Sequence, residues 1–331
     1  MDGRGRKRKI DEVKNLEPSG LNFAKYSVLV PLLRNHVLSY LNPKTMLNYS
    51  QCSNYCNSEV KIFNTKAPTR LIIIERNCNS ISVDVSYSKN SKNAASAFFQ
   101  KTFMFPTFEE TMKSVEQYVF GLYRHVKNGK MGELFISLRK WPKTIVQHKS
   151  IAEIEEMTVF IRNSMLDDFV KFVNTSNVRV KRLELYKANE QDRIQKENAK
   201  QIFSSAFFQQ LSKVDINLEC EIDDDDFLGF KNPGIALWMN NCVISDHAIR
   251  QKISQLNNFL ERIEIEIHLP SESTREFNLF ALFPEISSER FDPLNHVWCI
   301  GHVVIIAHNT NYGKLLNLTK EETVFVDLDN L

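Results

Sequence analysis

Glycine is scarce in this chain, at 10 of 331 residues. Phosphate-cradling loops need several backbone positions at positive φ, which glycine takes up freely and other residues do not. No Rossmann turn or Walker loop is therefore expected, and neither motif occurs. No apolar run reaches the roughly 18–20 residues needed to span a bilayer as a helix. The basic N-terminus is not followed by an apolar stretch, so it does not read as a secretory signal. Net charge is nearly absent, at a formal +2, and a chain so balanced has no global field to draw a polyanion. There is no nucleophile elbow and no His-Glu-x-x-His. Cys52, Cys56, Cys78, Cys220, Cys242 and Cys299 are dispersed through the chain. That spacing points to reduced thiols of the cytosol or nucleus and not to a disulfide framework. Together the absences leave a binding protein as the expectation, with no enzymatic activity, no cofactor, no metal and no membrane partner.

What the chain does have is 23 phenylalanines, 43% apolar residues and a change of pattern along its length. Residues 1–23 are polar and charged and read as a disordered basic tail. Within them Arg6, Lys7, Arg8 and Lys9 have the form of a nuclear-import signal. Too few aromatics are interleaved to offer nucleic-acid bases a stacking platform, so no nucleic-acid partner is expected. Residues 24–66 read as a helical module. One helix is expected over Leu29–Tyr40, with Pro31 tolerated in its first turn. A second follows the Asn42-Pro43 cap through Met46 and Leu47 to Tyr49. A third runs through Tyr55 and Val60 to Phe63.

Beyond Pro68 short β-branched runs take over, and residues 67–331 read as an α/β recognition domain. The expected strands are Leu71–Ile74, Ile81–Val85, Leu134–Leu138, Leu183–Tyr186, Val214–Leu218, Ile235–Trp238, Ile263–Leu269, Val303–Ile306 and Thr323–Val326. The alternation Ile263-Glu264-Ile265-Glu266-Ile267 marks a half-buried strand. Helical spacing appears between strands, at Val115, Val119, Leu122 and Val126, at Met165–Val173, at Ile202, Ala206 and Leu211, and at Ile249–Leu260. Strand starts from Leu134 to Ile263 are 49, 31, 21 and 28 residues apart, too irregular for a strict repeat. Strands alternating with helices favour a parallel sheet. The expected fold class is α+β, a small three-helix module followed by an irregular leucine-rich-repeat-like α/β solenoid. In it the five strands from Leu134 to Leu269 lie side by side in chain order. Ser137, Arg139, Glu184, Tyr186, Asp215, Asn217, Glu264 and Glu266 would then point away from the core. Glu184, Tyr186, Trp238, Glu264 and Glu266 are the candidate target-binding residues, with Trp238 first among them, because exposed tryptophan is enriched at binding hot spots.

The first helix carries the strongest functional signal. Leu29, Leu32, Leu33, His36, Val37 and Tyr40 share one broad face, and Val30, Leu38 and Leu41 widen it. An ordinary surface helix needs an apolar stripe of about 100°; this one exceeds half the circumference and must be buried on two sides. The second cover is either the α/β domain or another protein.

The run Val30-Pro31-Leu32-Leu33-Arg34-Asn35-His36-Val37-Leu38-Ser39-Tyr40-Leu41-Asn42-Pro43 resembles the opening of an F-box. Met46-Leu47-Asn48-Tyr49-Ser50-Gln51-Cys52-Ser53 resembles its second helix and following turn. Ile235–Asn241, Ser245-Asp246, Leu256–Phe259 and Phe283-Pro284-Glu285 resemble the F-box-associated region of the nematode F-box protein family. The resemblance implies a substrate-recognition subunit of a cullin–RING ubiquitin ligase of the SCF type. Val30, Pro31, Leu32, Leu33, Val37, Leu38, Met46 and Leu47 would dock on the ligase's adaptor subunit, and through it on the cullin assembly. The C-terminal domain would hold a target protein, in the nucleus and cytoplasm. The alternative is an interaction scaffold outside any ligase, whose F-box-like helices only cap the α/β domain.

Three further constellations read as structural. Asp223–Asp226 are four consecutive carboxylates that cannot converge on one cation; they suit the positive end of a short helix starting at Phe227. His296, His302 and His308 lack the tight ligand spacing of a zinc site. Ser245-Asp246-His247 has triad letters but sequence neighbours do not face one another as a triad must, and a helix N-cap accounts for Ser245 or Asp246.

Overall fold

The computed structural model describes residues 68–87, 97–123, 126, 129–239, 243–259, 262–270, 273, 297–300, 302–310 and 313–320, with Thr45, Tyr49, Cys52 and Cys56. Those last four are helical. The chain divides into two units, Met1–Thr65 and Lys66–Leu331. The expected tail, most of the three-helix module and the strand Thr323–Val326 lie outside the described residues.

The second unit is mixed α/β. It opens with β1 (Arg70–Asn77), β2 (Ser80–Tyr87), β3 (Ala97–Met104) and α1 (Phe108–Tyr123). There follow β4 (Gly129–Ser137), α2 (Lys143–Val146), β5 (Ile151–Ile161), α3 (Leu166–Thr175), β6 (Arg179–Lys187) and β7 (Arg193–Ile194). Next come α4 (Lys196–Phe203), α5 (Ala206–Gln209), β8 (Lys213–Asn217), β9 (Glu219–Cys220), α6 (Asp224–Gly229) and β10 (Gly234–Trp238). The rest is α7 (Asp246–Leu256), β11 (Ile263–Leu269), β12 (Val297–Ile300), β13 (Val303–Thr310) and β14 (Gly313–Lys320).

Twelve strands form one sheet in the order β12-β13-β14-β11-β10-β8-β6-β5-β4-β1-β2-β3. Its centre, from β1 through β4, β5, β6, β8 and β10 to β11, is parallel throughout. Antiparallel strands close both ends, and β7 pairs with β9 separately. Every parallel crossover steps the same way along the sheet. Right-handed connections then place all the crossover helices on one face.

That face is built from two apolar rows in register. One runs Leu71, Leu134, Met157, Leu183, Val214, Ile235, Ile265, Leu318; the other runs Ile73, Ile136, Val159, Leu185, Ile216, Leu237, Ile267, Leu316. All sixteen are at most 2% exposed. At about 1.5–3 kcal/mol for each fully buried aliphatic side chain, slipping one strand by a residue would turn its members of both rows outward. The rows therefore fix the register.

The helices bring matching stripes. α1 buries Met112, Val115, Val119 and Tyr123 at helical spacing. Its start is held by Thr107 and Glu110, each side chain accepting from the other's backbone N–H at 3.3 Å. Six of the phenylalanines, five of them on α3, α4 and α5, pack their rings together with Trp141. Trp141 meets Phe169 and Phe172, Phe172 meets Phe207, and Phe203 meets Phe208 and Phe230, with ring centroids 4.9–5.3 Å apart. Most of these contacts are tilted or edge-on, as ring quadrupoles prefer.

Four expectations need correction. The 49-residue gap conceals β5, which separates the two strands expected to be neighbours. Strand starts at 129, 151, 179, 213, 234 and 263 are 22, 28, 34, 21 and 29 residues apart. The alternation of β5 is broken by a bulge, Gly129 and Lys130 pairing with Ile151 and Glu153, and by Glu155-Glu156. The single helix expected through Ile202 and Leu211 is two, because the Ser205 hydroxyl caps α5 by accepting from Phe208 N–H at 3.1 Å. The short acidic helix starts at Asp224 and not at Phe227. Asp223 caps it in a reciprocal capping box with Asp226, and Phe227 is fully buried within it. Arg139 does not point outward freely: its guanidinium and its backbone N–H both bind Glu75, at 2.7 and 3.0 Å, and its side chain lies over the Phe108 ring.

One buried charge is notable. Lys252 on α7 is 1% exposed. Its ammonium donates to the backbone carbonyls of Leu228, at 3.1 Å, and Phe230. It thus caps the carbonyl end of α6, where a cation suits the helix dipole. Burial, with Lys231 nearby, pulls its pKa down to about 8.

Candidate functional site

Residues alternating with the apolar rows face away from the crossover helices. In register they form three rows. The first is Arg70, Glu133, Glu156, Arg182, Lys213, Gly234, Glu264. It largely compensates itself, through Arg70–Glu133 at 2.6 Å, Arg182–Glu156 at 3.3 Å and Arg262–Glu264 at 3.9 Å. The second is Ile72, Phe135, Thr158, Glu184, Asp215, Ala236, Glu266. The third is Phe160, Tyr186, Asn217, Trp238, His268.

The third row is an aromatic ledge. Phe160 stacks on Tyr186 with centroids 5.4 Å apart. Trp238 lies flat on His268 at 3.9 Å and 6°, and His268 bonds Glu266 through Nε2 at 3.0 Å. Held this way, Trp238 keeps its indole 43% exposed. A large ring immobilised in the free protein loses little further entropy on binding, which favours affinity.

The second row is acidic. Glu184 accepts from Thr158 at 3.1 Å, and Glu266 accepts from Asn317 at 2.9 Å. Asp215 Oδ1 is buried without a hydrogen-bond partner among the described residues. Burial, then the Glu184 carboxylate, push the Asp215 pKa up, against a smaller pull from Lys213. Burial and the same carboxylates raise Tyr186. β10 contributes only Gly234 and Ala236 to the first two rows. Ala236, buried at 7% exposure, therefore separates Asp215 from Glu266 by one intervening strand.

The structure brings all five candidate target-binding residues to this one face. Glu184 and Glu266 stand in the second row, Tyr186 and Trp238 in the third, and Glu264 in the first, where it is 3.3 Å from Asn317 Nδ2. The candidate adaptor-binding residues (Val30 to Leu47) and the basic run Arg6–Lys9 lie outside the described residues. Sequence reasoning left Asp215, His268 and Phe160 out of the site. The Ile-Glu-Ile-Glu-Ile-His alternation does put His268 on the face of Glu264 and Glu266. Phe160 was hidden with the rest of β5.

Among the described residues no group of three or more His, Cys, Asp or Glu is arranged to hold a metal ion. No helix among them is long and apolar enough to cross a membrane. Comparison with family models, with curated proteins and with solved structures finds no match.

Proposed function

We propose that this chain is the substrate-recognition subunit of a cullin–RING ubiquitin ligase of the SCF type. Its F-box-like module docks on the adaptor subunit through Val30, Pro31, Leu32, Leu33, Val37, Leu38, Met46 and Leu47. Its α/β unit, read as an irregular leucine-rich-repeat-like solenoid, holds a target protein on the sheet face opposite the crossover helices. The receptor does no chemistry. It raises the effective concentration of the target beside the ubiquitin-charged enzyme. The basic run Arg6–Lys9 directs part of the protein to the nucleus.

The ligase assignment is supported by the resemblance of residues 30–53 to an F-box. The target-binding half is supported by one observation above the others. Trp238, 43% exposed, stands in an aromatic row on a face made of successive parallel strands. Stacked units of this kind converge side chains into an extended binding surface.

Co-purification of the full chain with the adaptor tests the first half. The wild type should retain the adaptor, and Leu32→Asp with Leu33→Asp should lose it while circular dichroism stays unchanged. Equal retention by both overturns adaptor docking by this helix. Target capture without any adaptor binding would instead favour the scaffold. For the second half, Trp238→Ala should lose captured target while adaptor binding and thermal stability stay as in the wild type.

A further inference from the structure

Resting on the reading that this face holds a target protein, we propose that Tyr186 and Trp238, standing on either side of Asn217, form a cage for the trimethylammonium group of a methylated lysine on that target.

Stacking on the outside leaves the inner ring faces looking at one another. Tyr186 and Trp238 are the direct register partners of Asn217, one from each side. Phe160, on the far side of Tyr186 from Asn217, stacks on one face of the phenol ring at 22°. His268, on the far side of Trp238, covers one face of the indole at 6°. The opposite face of each ring therefore turns toward Asn217. Between the two rings asparagine is the short member, because its amide ends at the γ branch, where the neighbouring rings only begin. Asn217 is partly exposed, and Trp238 beside it is open to solvent over 43% of its surface.

Spacing selects the occupant. β6 and β10 are two strand spacings apart, about 9.6 Å. A flat group in van der Waals contact with both rings, about 3.5–4.0 Å from each, needs only about 7–8 Å. A guanidinium or a further aromatic ring would leave one wall uncovered. A trimethylammonium is rounder. Its methyls hold the nitrogen roughly 4.5–5 Å from each ring they touch, inside the range of about 6 Å over which a ring face attracts a cation. Two such distances match the span.

Charge selects an alkylated cation. Glu184 and Asp215 stand two residues before Tyr186 and Asn217 on the same face, about 6.6 Å along the strands. Neither makes a salt bridge with a lysine or arginine among the described residues, so their field favours a cation between the rings. At that distance they act through the field and not as hydrogen-bond acceptors. An unmodified ammonium is strongly hydrated and would give up water for ring faces. A trimethylammonium has no N–H to satisfy.

The test is fluorescence anisotropy of the full chain with three sets of labelled peptides. The sets share randomised flanks and differ at one central position, which is trimethyllysine, lysine, or the neutral tert-butyl isostere of trimethyllysine. The trimethyllysine set should bind about tenfold more tightly than either of the others, because it alone is both round and charged. Trp238→Ala removes one wall, and Asn217→Phe fills the gap while keeping both walls. Each should bring the trimethyllysine set down to the affinity of the lysine set. Both variants should keep the circular dichroism and the adaptor co-purification of the wild type. Equal affinity for the trimethyllysine set and either of the others overturns the proposal, as does selectivity that survives either substitution. Tighter binding to phosphatidylcholine vesicles than to the peptides overturns it too, by giving the same cation a lipid source. Each of these leaves standing the reading that a target sits on this face, if Trp238→Ala loses captured target. Target capture unaffected by Trp238→Ala, with trimethyllysine selectivity present in the wild type, overturns that reading alone.

Discussion

Replacing Lys252 by methionine removes a buried ammonium while roughly keeping its volume. The wild-type side chain is 1% exposed and hydrogen-bonded to the carbonyls of Leu228 and Phe230. Its pKa falls from 10.5 to about 8 in the folded protein. A lowered folded pKa means that the unfolded chain holds the proton more tightly. Folding therefore gains stability as pH rises from the folded value toward the unfolded one, and loses it as pH falls through about 8. For a drop of this size the gain between about pH 7 and about pH 9.5 is on the order of 2 kcal/mol. At neutral pH the variant escapes the cost of burying a charge but strands two carbonyls, each worth about 1–3 kcal/mol. The two effects oppose, so its stability near pH 7 should change less than its pH dependence. Urea unfolding of both proteins at the two pH values, with the difference taken between them, cancels other groups that titrate in alkali, such as Tyr118, Tyr186 and Cys220. The stability difference, wild type minus variant, should rise by about 2 kcal/mol across the interval. Parallel curves would show that Lys252 is not a desolvated, charged cap.

Asp215→Asn should raise stability at neutral pH. The folded Asp215 carboxyl is raised, so its stabilising share exists in acid and is lost as pH climbs through the raised value; an advantage of the variant that persists in acid would contradict this. Gly132→Ala should destabilise by about 1–3 kcal/mol in urea unfolding, because its Cβ would meet the Thr69 carbonyl oxygen at 2.7 Å. That same oxygen accepts from Glu133 N–H, so the backbone cannot move aside cheaply, and an unchanged midpoint would refute it.

Much of the α/β unit was legible locally. Ile263–Leu269 alternates cleanly, and both its extent and its buried face were readable from period two alone. The helices at Val115 and Met165 carry complete apolar stripes. Ser245 announces its helix, its hydroxyl accepting from Ala248 N–H. Failures fell where local pattern and environment part. A bulge at the start of β5 and the Glu155-Glu156 pair further along break its alternation, so a window of fixed period averages it away. Asp223–Asp226 looked like flanking charge because only geometry shows two of them closing a capping box.

The sequence by itself determined that residues 134–269 alternate strands with helices, that Glu184, Tyr186, Glu264 and Glu266 oppose apolar neighbours, and that the chain carries no Rossmann or Walker motif. These are short-range properties, set by side-chain period and by the backbone freedom of glycine. Tertiary structure alone decided that Asp215 faces Glu184 and that Ala236 separates it from Glu266. It also decided that Trp238 lies on His268 with its indole still exposed. Those pairings join residues tens of positions apart. They depend on register across the sheet, which is set by the summed burial of two apolar rows and not by any one segment.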